Sequence, residues 1–234
     1  SNYAMGLLTA DEDSDLLDPK SWTKARQPVF FTNATTGQYG PGHNSFTVSP
    51  EGDDLLVYHA RNYEEIEGDP LYDPNRHARV QKLYWNADGT PNFGIPLPDG
   101  PLPVRFRAAA EDGAYLAHDG KQAILSDGET PVQRTLFRVM PGLADESASS
   151  LEAADRPGSY LRVREGQVML ETDDDSETFA AGATWRITAA PGGEGVQLES
   201  YGAPGAWLVA RDGTLAVEAL SEADASAGTF VLER

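Results

Sequence analysis

Short apolar runs separated by turn residues extend along the whole chain, and their spacing is typical of β-strands. In the first hundred residues these runs lie at Tyr3–Thr9, Val29–Thr32, Asn44–Val48, Leu55–His59 and Val80–Trp85. One stretch, Leu16–Lys24, indicates a short helical or irregular connection in which Asp18-Pro19 acts as a breaker. The pattern predicts an all-β protein.

A threefold repeat fills the second half of the chain. In each repeat an aromatic residue follows a glycine by two positions, a leucine comes next, and an aromatic-centred strand closes the unit. The first aromatics are Tyr115, Tyr160 and Trp207, and the closing strands centre on Phe137, Trp185 and Phe230. The period is roughly 45 residues, and three four-stranded units that close a barrel without open edges form a β-trefoil. A three-bladed propeller is the alternative, but so few blades leave a poorly filled centre. We expect the first aromatic of each repeat to belong to the barrel core.

A proline-rich segment separates the two halves. The run Pro96–Pro103 contains four prolines and few hydrogen-bond donors, which is typical of a linker. The predicted domains are therefore residues 1–100 and residues 101–234.

The composition narrows the classes of partner. The 234 residues include 37 acidic and 18 basic side chains, which give a formal net charge of −19. Such a surface repels phosphate backbones and anionic lipids, so nucleic acid and membranes are poor partners, whereas neutral sugars are unaffected. Cysteine is absent, no run approaches the ~20 apolar residues of a membrane span, and the N-terminal residues lack signal-peptide features. The location of the protein in or outside the cell is left open.

The densest polar cluster of the first half surrounds two short motifs. Gly40-Pro-Gly precedes His43, and a tight turn there aims the imidazole away from the backbone, which suits a ligand of a metal ion or a water molecule. The guanidinium of Arg61 can donate two hydrogen bonds to a pair of sugar hydroxyls, or it can orient a carboxylate. The alternative is that His43 is a hydrogen-bonded core residue and Arg61 a structural ion-pair partner.

Four ordered motifs in residues 1–100 together resemble the closing portion of glycoside hydrolase family 43. They are Gly40-Pro-Gly-His-Asn-Ser-Phe, Tyr58-His-Ala-Arg-Asn-Tyr, Asp69-Pro-Leu-Tyr-Asp-Pro-Asn-Arg-His and Trp85-Asn-Ala-Asp-Gly-Thr-Pro-Asn-Phe-Gly-Ile-Pro. Members of that family are five-bladed β-propellers that act on arabinose- and xylose-containing polysaccharides. The resemblance implies a partial five-bladed propeller, last blades only. It also implies that His43 contacts the substrate site and holds a calcium ion or its water, and that Arg61 lines the sugar pocket.

The same resemblance bears on catalysis. Family 43 enzymes invert configuration with an aspartate base, a glutamate acid and a second aspartate, and inversion needs a pair of carboxyl groups ~6.5–9.5 Å apart. In the family these residues lie in blades before the segment matching Tyr3–Ala10, so we expect no catalytic residue in this chain and no activity of the chain alone. The acidic run Asp11–Asp15 is expected to be solvated surface, and the run Glu64–Asp69 a pocket rim.

The second half resembles the arabinofuranosidase B-type domain, carbohydrate-binding module family 42, a trefoil that binds arabinose side chains. Its Tyr-Leu-x-His signature is intact at Tyr115-Leu-Ala-His118, which implies a sugar contact at His118 helped by Asp119 or Asp127. The histidine is replaced in the other two repeats, and the aspartate before the closing aromatic is absent from all three. These positions hold Val163 and Ala210, and Arg134, Gly182 and Ala227. Loss of both polar anchors should abolish sugar affinity in repeats two and three.

Together the resemblances imply the C-terminal portion of an inverting α-L-arabinofuranosidase acting on arabinan or arabinoxylan side chains. The alternatives are a β-xylosidase of the same family and a non-catalytic arabinose-binding module. The expected partners are an arabinose-containing polysaccharide or oligosaccharide and a chain that supplies the missing propeller blades, because an incomplete propeller exposes strand edges and apolar surface.

Overall fold

The computed structural model describes residues 3–233, and the chain divides into two compact units, Ser1–Asp99 and Gly100–Arg234. Strands dominate both units, so the all-β prediction is confirmed. In the part of the chain that the structure describes, no helix has the length and apolar character needed to cross a membrane.

The first unit contains seven strands among its described residues, which are β1 (Leu8–Thr9), β2 (Thr23–Lys24), β3 (Tyr39–Val48), β4 (Asp54–Arg61), β5 (His77–Lys82), β6 (Tyr84–Trp85) and β7 (Pro91–Asn92). Two 3-10 helices, Pro19–Ser21 and Pro70–Tyr72, interrupt them. The short helical connection predicted near Leu16–Lys24 is present, but Asp18 begins it instead of ending it. The Asp18 carboxylate accepts a hydrogen bond from the Lys20 N–H at 2.9 Å, as helix-capping aspartates do.

An antiparallel sheet of β3, β4 and β5 is the centre of the first unit. Alternate residues of β4 point to one face, where Leu56, Tyr58 and Ala60 pack with Phe30 and Phe93. Strand β3 lies at the edge of this sheet, and its second half is exposed. One three-stranded sheet does not by itself demonstrate a propeller, so the partial propeller stays a prediction.

The second unit consists of three repeats of four strands. The first repeat holds β8 (Arg105–Ala108), β9 (Leu116–His118), β10 (Ala123–Leu125) and β11 (Phe137–Pro141); the second holds β12 (Ser149–Ala153), β13 (Ser159–Arg164), β14 (Gln167–Thr172) and β15 (Thr184–Ala189); the third holds β16 (Val196–Ser200), β17 (Trp207–Arg211), β18 (Thr214–Glu218) and β19 (Thr229–Glu233). The helix α1 (Glu177–Ala183) and two 3-10 helices, Val132–Thr135 and Glu222–Gly228, precede the closing strands.

The outer strands of the repeats close a six-stranded barrel. Strand pairing runs from β8 to β19, β16, β15, β12 and β11, and a bridge between Val104 and Phe137 returns to the start. The inner strands form three hairpins, β9–β10, β13–β14 and β17–β18. This arrangement is a β-trefoil, as predicted. It excludes the three-bladed propeller, in which the four strands of each repeat would form a sheet of their own.

The barrel core repeats three times as the sequence does. Nine side chains contributed by equivalent positions are fully buried: Phe106, Leu151 and Leu198; Leu116, Leu161 and Leu208; Phe137, Trp185 and Phe230. Tyr115, Tyr160 and Trp207 are only half-buried and lie outside this cluster, so the prediction that they form the core is wrong. Successive side chains of a strand point to opposite faces, and the leucine after each aromatic takes the inward position.

Candidate functional site

His43 lies on an irregular, exposed stretch of β3. Its φ of +47° is a left-handed conformation that is uncommon for residues other than glycine. The register of β3 against β4 shifts on both sides of Gly42, and Gly40 also has a positive φ. These irregularities leave His43 exposed to solvent. The alternative of a buried core histidine is therefore wrong.

A second histidine lies beside His43. The ring centroid of His59 is 6.3 Å from that of His43 and 5.5 Å from that of Tyr3. The His59 Nδ1 atom is 2.8 Å from the carbonyl oxygen of Gly42. Because a carbonyl only accepts, Nδ1 carries the proton and Nε2 is left as an acceptor. Burial lowers the pKa of His59, and the nearby Arg76 and Arg61 add to this effect. A neutral imidazole that can accept a hydroxyl proton therefore stands next to His43.

Sequence reasoning gave His59 no role, although a signal was present. His59 and Arg61 are two positions apart on β4, so both point to the same face of the sheet. A residue that shares a face with a candidate site residue is itself a candidate.

Arg61 is held in a buried ion pair. Its Nε donates to Asp73 Oδ2 at 2.9 Å, and the two side chains are only 6% and 5% exposed. The Asp73 carboxylate also accepts from the Asn75 N–H at 2.9 Å and from the Tyr63 hydroxyl at 2.8 Å. The backbone N–H of Asn75, followed by Tyr63 and Arg61, holds the pKa of Asp73 below its usual value despite partial desolvation. This geometry agrees with the alternative in which Arg61 is a structural ion-pair partner. A direct sugar contact at Arg61 stays a prediction.

The loop between β4 and β5, residues 62–76, is fixed by this ion pair and lines an open surface cavity of 420 Å³. The lining includes Tyr63, Glu65, Glu67, Asp69 and Tyr72. Such a volume is within the range of ligand cavities, roughly 300–1,000 Å³. The acidic run predicted to be a pocket rim does line a cavity. Since Gly42 pairs with His59 and Ala60 pairs with His77, this loop lies at the same end of the sheet as His43.

A buried arginine supports the base of the loop. Arg79 Nε donates to Gln38 Oε1 at 3.1 Å, and its Nη2 donates to Asn62 Oδ1 at 2.9 Å. The Gln38 amide donates to the same Asn62 oxygen at 3.0 Å. A buried guanidinium with such partners fixes the first residue of the loop. Sequence reasoning missed this network because the three residues lie far apart along the chain.

The predicted calcium site is not formed by the described side chains. Within residues 3–233 there is no group of three or more His, Asp or Glu placed to hold a metal ion. Calcium takes six to eight oxygen ligands, whereas His43 offers a ring nitrogen. A role for calcium at His43, directly or through a water bound to the ion, stays a prediction.

In the trefoil, His118 is completely buried. Its Nε2 lies 2.9 Å from Asp155 Oδ1. The His118 and Phe137 rings pack in a T-shaped arrangement with their centroids 6.0 Å apart. Nδ1 is buried without a hydrogen-bond partner among the described residues. A sugar contact at His118 stays a prediction, and it requires a rearrangement that exposes the buried ring.

The two aspartates predicted to help His118 are turn residues. Asp119 accepts from the N–H groups of Lys121 and Gln122 at 2.7 and 2.9 Å, and these bonds lower its pKa. Asp127 accepts from the Thr130 hydroxyl at 2.7 Å and the Glu129 N–H at 3.1 Å, and its pKa is lowered chiefly by Thr130. Both are exposed carboxylates fixed by local hydrogen bonds.

Known proteins resemble both units. The family model described as the alpha-L-arabinofuranosidase B (ABFB) domain matches residues 104–232, and the model described as glycosyl hydrolases family 43 matches residues 1–91. The chain is 46% identical over 246 residues to Alpha-L-arabinofuranosidase 43 of Humicola insolens, an alignment that covers 99% of the chain and 51% of the relative. It is 55% identical over 153 residues to an extracellular exo-alpha-(1->5)-L-arabinofuranosidase of Streptomyces avermitilis, covering 65% of the chain and 32% of the relative.

A solved structure shows the same fold. It is an arabinofuranosidase complexed with arabinofuranosyl-alpha-1,2-xylobiose, with 19% identity and a TM-score of 0.52 over 78% of this chain and 51% of that one. The chain spans about half of the length of the first curated relative and about a third of the second. The ABFB model covers more than half of the chain. The chain therefore belongs to the family of the alpha-L-arabinofuranosidase B (ABFB) domain, joined here to a segment of glycosyl hydrolases family 43.

Proposed function

We propose that this chain is part of an inverting α-L-arabinofuranosidase that removes arabinose side chains from arabinan or arabinoxylan. The observation that carries the proposal is the 46% identity to an alpha-L-arabinofuranosidase along 99% of the chain. That alignment includes both units in one order, which a shared fold alone does not require. The second relative is an exo-acting arabinofuranosidase of even higher identity over a shorter stretch.

In this proposal the first unit supplies part of the wall of the sugar site. His43 and His59 lie side by side at one end of the sheet, and the loop of residues 62–76 borders the same end with its cavity. His59 offers a neutral acceptor nitrogen, and Tyr63 and Tyr72 offer aromatic surface, a combination that suits the hydroxyls and ring faces of a neutral sugar.

We further propose that the proton-transfer pair comes from residues outside the first unit. An inverting hydrolase needs two carboxyl groups that face each other across the scissile bond, ~6.5–9.5 Å apart. Asp73, the most buried carboxylate at this end of the sheet, is bonded to Arg61, Tyr63 and Asn75 and has a lowered pKa. A carboxyl group of that kind is a poor general acid. We therefore assign Asp73 to holding the loop, and expect the chain alone to be inactive.

The first unit also has a surface suited to further propeller blades. Phe46 and Val48 on the edge strand β3 are 57% and 59% exposed. An exposed apolar edge strand is a site for pairing with another strand. We propose that the remaining blades of the propeller cover this edge.

Hydrolysis of two chromogenic substrates tests the enzyme proposal. The complete protein should cleave an aryl α-L-arabinofuranoside with a kcat/KM at least about a hundredfold above that for an aryl β-D-xyloside, a difference of about 2.7 kcal/mol in transition-state binding. The reverse preference would instead support the β-xylosidase. Inactivity toward both substrates would contradict the enzyme proposal and favour a non-catalytic binding protein.

Inversion is tested separately by following the anomeric configuration of the released sugar by proton NMR. The first product detected should have the opposite anomeric configuration to the substrate. Retention of configuration would contradict the proposed mechanism even if the arabinofuranosidase activity is present.

A further inference from the structure

The loop of residues 62–76 presents an aromatic surface to solvent. Leu71 and Tyr72 are 68% and 79% exposed, and Tyr72 lines the 420 Å³ cavity together with Tyr63. Side chains as exposed as these contribute little to the core of the first unit, and exposed apolar groups that adjoin a cavity mark contact sites. The aromatic surface of the loop is therefore available to a ligand.

The backbone that carries this surface is fixed before any ligand binds. Residues Pro70–Tyr72 form a 3-10 helix, and the carboxylate of Asp69 caps it by accepting the Leu71 N–H at 2.9 Å. The residue that follows the helix, Asp73, is anchored by its buried ion pair with Arg61. Groups that are held in place lose little conformational entropy on binding.

The same loop is strongly acidic. It contains five carboxylates and one basic side chain, that of Arg76. Asp73 is neutralised by Arg61, whereas the other four carboxylates are exposed and form no ion pair within residues 3–233. These four are Glu64, Glu65, Glu67 and Asp69. Carboxylates accept hydrogen bonds from sugar hydroxyls but repel other anions, so the loop suits neutral sugars and opposes acidic ones.

The shape of the cavity indicates which part of a substrate it receives. A sugar released from the end of a branch needs a pocket that buries most of its surface, whereas the rest of the polysaccharide extends into solvent. The cavity of the loop is open at the surface, and the loop lies at the same end of the sheet as His43 and His59. The loop therefore suits the sugar units that adjoin the released arabinose.

We propose that the loop of residues 62–76 selects substrates by charge. It receives the main-chain sugars next to the cleaved arabinose and disfavours main chains that carry uronic acid units, which are sugars with a carboxylate. The identity of the cleaved sugar rests on the proposed function, whereas the selection by charge rests on the loop. Two unit charges about 10 Å apart in water repel each other enough to weaken binding about twofold. Four carboxylates should therefore give a preference of about tenfold for the neutral substrate.

Steady-state kinetics of the complete protein test the selection. The substrates are two arabinose-substituted xylo-oligosaccharides that differ only in a glucuronic acid branch on a neighbouring xylose. At about 0.01 M ionic strength, kcat/KM should be about tenfold higher for the neutral oligosaccharide. The preference should shrink severalfold at about 1 M, because the Debye length falls from about 30 Å to about 3 Å. The proposal is overturned by equal rates at low salt, or by a preference that salt does not change, which would indicate steric exclusion.

Removal of single charges locates the selection on the loop. Glu67→Gln should reduce the low-salt preference about twofold, and the double variant with Glu65→Gln about fourfold. Glu51→Gln is the matched control, because Glu51 is exposed on the turn that precedes β4 and lies at the opposite end of this eight-residue strand, on the order of 25 Å from the loop. It should leave the preference unchanged. Equal reductions by Glu51→Gln and Glu67→Gln would show that the charge of the whole protein sets the preference, not the loop.

The contact with the main chain is tested with Tyr72→Ala. This variant should lower kcat/KM for the neutral oligosaccharide about fivefold, and by a clearly smaller factor for an aryl α-L-arabinofuranoside, which has no main chain. Trp85→Ala is the control, because Trp85 is also exposed but is bonded to Asp54 at the other end of β4. It should change both rates by the same factor. Equal factors for Tyr72→Ala would overturn the assignment of the loop to the main chain.

Failure of this proposal and failure of the enzyme proposal are distinguishable. Hydrolysis of the aryl arabinofuranoside without charge selection would contradict the loop proposal alone. If the complete protein hydrolyses none of these substrates, the enzyme proposal fails, and calorimetric Kd values for the same two oligosaccharides test the loop instead. A lower Kd for the neutral oligosaccharide that disappears in the Glu65→Gln and Glu67→Gln double variant would support the selection, and equal Kd values would overturn it.

Discussion

The two units bury their apolar residues to very different extents. The trefoil buries three layers of equivalent side chains completely inside a closed barrel. The first unit packs a smaller cluster on one face of a three-stranded sheet whose edge strand is exposed. Of the fourteen large apolar side chains that are exposed among the described residues, twelve lie in the first unit, and only Leu102 and Leu232 lie in the second. Closure of a sheet removes both its edges and its unpaired apolar face.

The difference in closure also decides where functional groups are found. In the trefoil, the histidine of the intact signature, His118, is buried against Asp155, whereas a cavity of 230 Å³ opens at the surface beside Tyr115 and Asp127. In the first unit, His43 is exposed at an open end of the sheet beside a loop with its own cavity. An open sheet can contribute residues to a site that other segments complete, whereas a closed, filled barrel can bind a ligand only on its surface.

The largest expected effect contrasts two tryptophans. Trp185 is fully buried in the barrel, and its Nε1 donates to the Leu161 carbonyl at 3.1 Å. Trp185→Ala should lower the free energy of unfolding of the trefoil by about 3–5 kcal/mol. Trp85 is 56% exposed in the first unit, and Trp85→Ala should cost about 1 kcal/mol or less. Urea denaturation followed by far-UV circular dichroism measures both, and equal losses would contradict the contrast.

The next effect concerns association. The exposed edge of β3 should cause the chain to self-associate at micromolar concentrations, which sedimentation velocity detects as species larger than the monomer. Phe46→Ser together with Val48→Ser should shift the distribution toward the monomer. Leu232→Ser is the control, because Leu232 is 37% exposed but lies in the closed barrel. A wild-type chain that is wholly monomeric would show that the edge is not adhesive.

A smaller effect is the acid sensitivity of the first unit. The pKa of Asp73 is lowered by the Asn75 N–H and then by Tyr63 and Arg61. Such a carboxyl stabilises the fold above its unfolded pKa of about 3.9, and this contribution is lost as pH falls through the lower folded pKa. Melting temperatures between pH 6 and pH 2.5 should fall less steeply below pH 4 in Asp73→Asn than in the wild type.

The control for the acid series is Glu64→Gln, a substitution of an exposed carboxyl on the same loop. This variant should keep the wild-type pH profile. If Asp73→Asn shows the wild-type profile as well, the lowered pKa of Asp73 does not account for the acid sensitivity.

The smallest expected effect is within the trefoil. Tyr115→Phe removes the hydrogen bond to Glu233 and should cost about 1 kcal/mol in urea denaturation. Tyr160→Phe at the equivalent position should cost less, because the Tyr160 hydroxyl has no hydrogen-bond partner in the stretch that the structure describes. A larger loss in Tyr160→Phe would contradict a stabilising role of the Tyr115–Glu233 hydrogen bond.

The sequence by itself determined the trefoil. A glycine turn, an aromatic-leucine pair and a closing aromatic recur three times, and the turns and strands they specify are local, so the repeat could be read without coordinates. It also indicated the order of the two families, because the motifs around His43 and Arg61 are contiguous runs. The sequence misassigned Tyr115, Tyr160 and Trp207 to the core. Successive side chains of a strand point to opposite faces, and the sequence does not say which face is the inner one. In each repeat the leucine after the aromatic points inward, so the aromatic points outward.

Only the tertiary structure decided what the candidate side chains contact. Asp73 is twelve residues from Arg61, and Asp155 is thirty-seven residues from His118. Arg105 and Glu233 reach Tyr115 from two further strands of the barrel. Charge and hydrogen-bond capacity are properties of a residue, but burial and pairing depend on which segments the chain brings together. For that reason the sequence identified His118 as a candidate polar contact for a sugar, but only the fold shows that its side chain is buried. Only the fold, likewise, shows an open cavity beside Tyr115.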